Sequence, residues 1–296
     1  MSYRCQWKKL CNLPLAVLML LVGGLVLQPL NRAVSHAQHT RGLQLPPPRI
    51  AQKDAFTQQL AFFTLGGLRS LAAELTSLDA TNAWSHRDWP RADARWQTVT
   101  TLAPRRVNYW VAASRDMATN AAGDILSRDN INRRDRTMQA HHYIQRGEDY
   151  LLSGLANAPD SPLLYARLGD FYSDLYRRPE FGKAAAAYAR AVELGAPQIY
   201  SRLRFYNLCR IRGREQEALA LGRELFADPR NNVPALRTLI YVLQHKLNLP
   251  PEQRLSIEQL FGNHKRARRD FNTFRRNTLL YPTNGIEEYL NGQDES

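Results

Sequence analysis

The side chains with most chemistry to offer in this chain are arginines. Lys265, Arg266, Arg268, Arg269, Arg275 and Arg276 crowd one short stretch, with Phe271 and Phe274 between them. Cations interleaved with aromatics bind nucleic acid or an anionic lipid surface. The same pattern also describes an end helix whose phenylalanines pack inward beneath solvated arginines. A second group, Arg202, Arg204, Arg210, Arg212 and Arg214, lies on and just after a helical pattern. Guanidinium forks there can clamp carboxylates bidentately, or lay their stems over apolar surface with the heads in water. The candidate partner-binding residues are Arg202, Arg204, Arg210, Arg268, Arg269, Arg275 and Arg276. Arg128, Arg133, Arg134 and Arg136 are partly neutralised by Asp129 and Asp135 and read as a polar surface loop. The formal net charge of +13 favours acidic partners without choosing among nucleic acid, anionic lipid, acidic glycan and acidic protein.

Other reactive residue types stand without the company catalysis needs. His86-Arg87-Asp88 matches the triplet of a phosphoryl-transfer catalytic loop. No glycine-rich loop, strand lysine or Asp-Phe-Gly accompanies it, and Asp93 stands where that loop's asparagine would fall. His141 and His142 are neighbours, so on a helix they point in different directions and do not share a metal. Cys5, Cys11 and Cys209 form no CxxC and no even framework. Cys209 lies among Leu203, Phe205, Leu208 and Ile211 and reads as a buried thiol. GxSxG, HExxH, Walker and GxGxxG patterns are absent from the sequence. The expectation is a non-enzymatic protein with no catalytic, cofactor or metal-binding residues.

Any binding residue must be positioned by the elements around it, and these fall into blocks. Arg4, Lys8 and Lys9 precede an apolar run from Leu13 to Leu30, close to the minimum length that spans a bilayer core. Two readings compete. The run exceeds a signal-peptide core, which favours a retained signal anchor, whereas Ser35-His36-Ala37 offers a cleavage site and a secreted product. Cations before the run favour a cytoplasmic tail over residues 1–12, with the bulk outside the cytoplasm. Leu45-Pro46-Pro47-Pro48 stiffens a linker over 31–55. From Phe56 onward the pattern is helical throughout, with no alternating strand.

One frame recurs within this helical part. It runs Ala92, Trp96, Val99, Pro104; then Gly147, Leu151, Gly154, Pro159; then Ala184, Tyr188, Ala191, Pro197; then Ala218, Gly222, Leu225, Pro229. A small residue lets two helices approach, the residue four positions on fills the groove, and the proline ends the unit. Ala184 and Ala218 are 34 residues apart, and Tyr165, Leu168, Gly169 and Tyr172 form a first-helix signature.

These residues resemble the tetratricopeptide repeat, across roughly residues 70–245. Leu65 to Leu71, leading into Trp84 and Trp89, resembles the opening of bacterial membrane-anchored repeat proteins of unassigned role. The resemblance implies an all-α solenoid of helical hairpins whose concave face receives a protein partner. The chain departs from it in two places. A polar stretch, Ser127–Arg136, separates a helix around Val107–Ala122 from one over Gln139–Ala158, and an insertion lies at Arg177–Phe181. Both are candidate recognition loops. Repeats are expected over 56–248 and capping helices with a polar tail over 249–296. Within that end, Pro250-Pro251-Glu252 reads as a helix start running to Phe261, and Lys265–Leu280 as a cap. The functional expectation is a scaffold in a bacterial inner membrane, anchored through 13–30, that holds a partner for an envelope secretion or assembly machine. The alternative is a basic binder of polyanions.

Overall fold

The computed structural model describes residues 69–177 and 179–277, with side chains through Phe274. Among these residues the protein is all-helical, and no strand is present. The expectations for the tail 1–12, the apolar run 13–30, the linker 31–55 and the repeat start at 56 lie outside the described residues. So do the side chains of Arg275 and Arg276 and everything from 278. No helix among the described residues is long and apolar enough to cross a membrane. The chain divides into two compact units, Met1–Tyr109 and Trp110–Ser296.

In the first unit, α1 (Arg69–Ser85) and α2 (Trp89–Leu102) pack as a hairpin. They bury Ala73, Ala80 and Ala83 of α1 and Ala92, Trp96 and Val99 of α2. His86-Arg87-Asp88 is the turn between them. Arg87 adopts φ 56°, and the Asp88 carboxylate accepts the Arg91 backbone N–H at 3.2 Å. That triplet therefore does the work of a turn and an N-cap. Arg91 pairs with Asp79 at 2.6 Å, and Arg69 donates to the Thr101 carbonyl at 2.7 Å across the hairpin. Helix α2 stops at the step before Pro104, which is partly buried.

The second unit opens on α3 (Val107–Arg115), whose first residues belong to the first unit. It continues without a break into a π-helical segment, Asp116–Ala121, and then α4 (Ala122–Leu126). Next comes α5 (Arg133–Asn157), which corrects the expected start at Gln139. Asn132 caps it by accepting the Asp135 N–H at 2.9 Å, and Arg136 donates back to the Arg128 carbonyl at 3.1 Å. Arg133, Arg134 and Arg136 thus stand on the first turn of a helix, and only residues 127–132 form the loop.

The rest is a chain of short helices: α6 (Pro162–Ser173), α7 (Phe181–Glu193), α8 (Ile199–Leu208), α9 (Glu215–Phe226) and α10 (Pro234–Lys246). Each packs against the next in sequence, and α5 packs against α6. Helix α10 is the centre of the C-terminal core, with Leu236, Leu239, Ile240 and Leu243 fully buried. The expected helix from Pro250 to Phe261 is corrected. Pro251–Gln253 is a single 3₁₀ turn, the chain then runs extended through Arg254, and α11 (Ile257–Phe261) starts afresh. The break has two causes. Gln244 Oε1 accepts the Leu255 N–H at 2.9 Å, and a Ser256–Gln259 capping box nucleates a new helix. Helix α12 (His264–Asn277) closes the unit and turns Ala267, Asp270, Phe271 and Phe274 inward.

Candidate functional site

Small residues set the distances at which these helices meet. A Cβ on Gly147 of α5 would lie 2.4 Å from the Ala118 Cβ and 2.8 Å from the Ser114 carbonyl, so only glycine lets α5 reach the π-helical segment. A Cβ on Gly169 of α6 would fall 2.5 Å from the Tyr188 ring of α7. Between α3, the π-helical segment, α5 and α6 these approaches leave a cleft of about 460 Å³.

The apolar part of the cleft is Val111, Ala118, Leu151 and Phe171; its rim is charged. Arg177, from the loop after α6, reaches across to donate to Thr119 Oγ1 at 2.6 Å, and its guanidinium lies 4.8 Å above the Phe171 ring. It also pairs with Asp174 at 3.2 Å. Only 12% of the Arg177 side chain is exposed, and burial lowers its pKa while the Asp174 charge opposes the shift. Arg167 donates to Asp170 at 2.8 Å, and Arg115 stands at the opposite edge with 68% of its side chain exposed.

Acceptors on this rim are already engaged. Asp170 also accepts the Tyr188 hydroxyl at 2.9 Å, and Asp174 accepts the Tyr176 N–H at 3.0 Å. Burial, then the Asp170 charge, push the Tyr188 phenol up, so it stays a donor. Each guanidinium carries five donors, and the three arginines use few of them on one another's carboxylates. The rim offers more donors than acceptors. Directly beside it, the loop exposes Leu175 (44%) and Tyr176 (99%). A π-helical wall, an irregular loop and an aromatic tip are features found where proteins bind ligands.

The sequence-predicted arginines sit elsewhere, on internal contacts. Arg202 donates to the Arg230 carbonyl at 3.2 Å and Asn231 Oδ1 at 3.0 Å; Arg204 donates to Glu217 at 3.1 Å; Arg210 lies 5.0 Å above the Phe181 ring. They brace α8 and the turn after it to neighbouring segments. On α12, Lys265, Arg266 and Arg269 are exposed and Arg268 is half-buried, on the side away from Phe271 and Phe274. Ala92, Trp96, Leu168, Gly169, Tyr172, Ala184, Tyr188, Ala191, Ala218 and Leu225 are buried, and Tyr165 is half-buried. His141 and His142 are exposed, and burial raises the pKa of the Cys209 thiol. Among the described residues no three His, Cys, Asp or Glu gather in a metal-holding group.

Arg115, Thr119, Arg167, Asp170 and Asp174 were not among the residues the sequence pointed to. The one available signal was the insertion at Arg177–Phe181, which interrupts the repeat frame where the loop forms. Comparisons with family models, curated proteins and solved structures find no match for this chain.

Proposed function

We propose that this protein is a non-enzymatic, membrane-anchored scaffold that holds a partner protein at the cleft beside the π-helical segment. The observation that carries this reading is the rim itself, with surplus guanidinium donors over an apolar floor and Tyr176 wholly exposed at its edge. Arginine and tyrosine over an apolar pocket is the composition of interface hot spots. The donor surplus selects a partner segment rich in acceptors, with acidic side chains or free carbonyls.

A tetratricopeptide-like stack is supported by the serial packing of α6 to α10 and by burial of Ala184 and Ala218, 34 residues apart. The apolar run 13–30 anchors the protein in a bacterial inner membrane with its bulk outside the cytoplasm. Service to an envelope secretion or assembly machine extends the reading by analogy of fold alone.

The test is affinity capture by the full chain from its own envelope, in parallel with Tyr176→Ala and Arg177→Gln. Recovery of a discrete protein that both variants lose at least tenfold, while circular dichroism is unchanged, is the expected result. Recovery indifferent to both substitutions overturns the assignment of the cleft. A second reading, a polyanion binder, is favoured by the exposed Lys265, Arg266 and Arg269 on α12.

A further inference from the structure

The three guanidiniums lining the cleft beside the π-helical segment differ in how far they are engaged. Arg177 is committed: it donates to Thr119 Oγ1 at 2.6 Å, pairs with Asp174 at 3.2 Å and lies over the Phe171 ring. Arg167 is exposed and spends one Nη1 donor on Asp170 at 2.8 Å. Arg115 is held least. Its ion-pair partner among the described residues is Asp116 at 3.6 Å, too long for a hydrogen bond. That carboxylate is itself buried and takes an Asn120 donor at 3.1 Å. A guanidinium carries five N–H donors, so Arg115 and Arg167 bring unused donors to one cleft.

The neighbouring acids set which anion fits. Asp170 and Asp174 line the same cleft and are partly exposed, so its lining holds three cations against two carboxylates. A single negative charge balances that surplus. A phosphate dianion would press a second charge against Asp170 and Asp174, and like charges at such range repel. A carboxylate is a monoanion whose two oxygens match the guanidinium fork. Charge alone would leave the floor of Val111, Ala118, Leu151 and Phe171 uncovered, and about 460 Å³ has room for a side chain beside the carboxylate.

Resting on the assignment of this cleft to a partner protein, we propose that the partner is anchored by one carboxylate next to an apolar side chain. Arg115 and Arg167 hold the carboxylate, and the apolar side chain covers the floor. Arg177 shapes the pocket by tying the loop after α6 to Thr119. The carboxylate belongs to an acidic side chain or to the partner's C-terminus; the chemistry is shared, and two kinds of peptide separate the sources.

The test measures binding of labelled glycine-serine peptides to the full chain in neutral detergent. One peptide, amidated at its C-terminus, carries an internal leucine-glutamate pair; the other ends in leucine with a free carboxylate. Saturable binding of either supports the proposal, and the tighter one identifies the source. Replacing glutamate by glutamine, amidating the terminal leucine, or replacing leucine by serine weakens binding about tenfold or more. Arg115→Gln, at an exposed helix end, and Arg167→Gln do the same. Lys265→Gln removes an exposed cation on α12 and leaves binding unchanged, and a phosphoserine in place of glutamate binds more weakly. No saturable binding of either carboxylate peptide, indifference to Arg115→Gln, an equal loss from Lys265→Gln, or tighter binding of phosphoserine overturns the proposal. Its failure is separable from failure of the cleft. A captured protein lost by Tyr176→Ala and Arg177→Gln but kept by Arg115→Gln and Arg167→Gln overturns the carboxylate anchor and leaves the partner site standing.

Discussion

Gly169 is a residue whose hydrogen atom does what no side chain could. The Tyr188 ring occupies the space a Cβ would need, and it is pinned there by its hydroxyl bond to Asp170 and its contact with Ser173 at 3.2 Å. Gly169→Ala should lower stability by about 1–3 kcal/mol, the range for forcing an extra methyl into a packed site. Gly182→Ala, on α7 with nothing within 4 Å, should be neutral or stabilising by a few tenths. Thermal melts of the pair separate a packing role from a general intolerance of alanine. His245 supports a different prediction. Burial, and then the Arg254 charge 3.2 Å from Nδ1, lower its pKa below the usual 6.5. The fold holds it neutral while the unfolded chain takes up a proton more readily, so stability is full above pH 6.5 and declines as pH falls toward the lowered value. His245→Gln should flatten the loss of Tm between pH 7.5 and 5.5; an equal loss in both proteins would remove His245 as its source. At this scale the small residues were legible and the arginines were not. Gly169 and Ala184 have one use in a helical frame, whereas Arg202 could have bound a ligand or a neighbouring carbonyl, and only its tertiary surroundings decide.

Helix α12 is held to the rest by one buried ion pair as well as by its phenylalanines. Arg237 of α10 donates to Asp270 through Nε at 3.1 Å and again through Nη2, and its Nη1 caps the Asn232 carbonyl at 2.8 Å. Both side chains are almost wholly buried. Removing one partner leaves a charge in the core, a change that costs about 3–5 kcal/mol. Asp270→Leu should therefore destabilise α12 strongly, seen as faster hydrogen exchange over 264–277. Adding Arg237→Met should restore part of the loss, because the pair is then replaced by apolar volume. If the double variant is as unstable as Asp270→Leu, the ion pair is not what the single change broke. Asp270 was hidden in the sequence by the cations around it, since the arginines of this stretch, Arg268 and Arg269 among them, read as solvated. Helix existence was legible from periodicity, but two starts were misplaced by side-chain chemistry. Asn132 begins α5 six residues early, and Gln244, eleven residues away from Leu255, breaks the expected helix after Pro250.

For the whole chain, the question is where the excess of +13 is free to act. Much of the described positive charge is engaged internally: Arg91 and Arg95 on Asp79, Arg128 on Asp124, Arg204 and Arg214 on Glu217, and Lys246 on Glu215. These acids are already counted in the net charge, so pairing does not shrink the surplus; it decides where the surplus is exposed, and on α12 the exposed cations are Lys265, Arg266 and Arg269. The scaffold and polyanion readings thus use different residues and respond differently to salt. A polyanion held by α12 releases counterions, so its affinity for duplex DNA falls with salt by a log–log slope of about 0.9 for each phosphate neutralised. Changing Lys265, Arg266 and Arg269 together to Gln should reduce that slope by about 2–3 if the face binds DNA, and Arg177→Gln should leave it unchanged. A partner seated over Phe171 and Tyr176 on an apolar floor should show the opposite pattern, surviving high salt and the triple change but not Arg177→Gln. Measured on the same full-length protein, the two variants assign the bound species to one surface or the other. Equal losses from both would mean that neither surface acts independently.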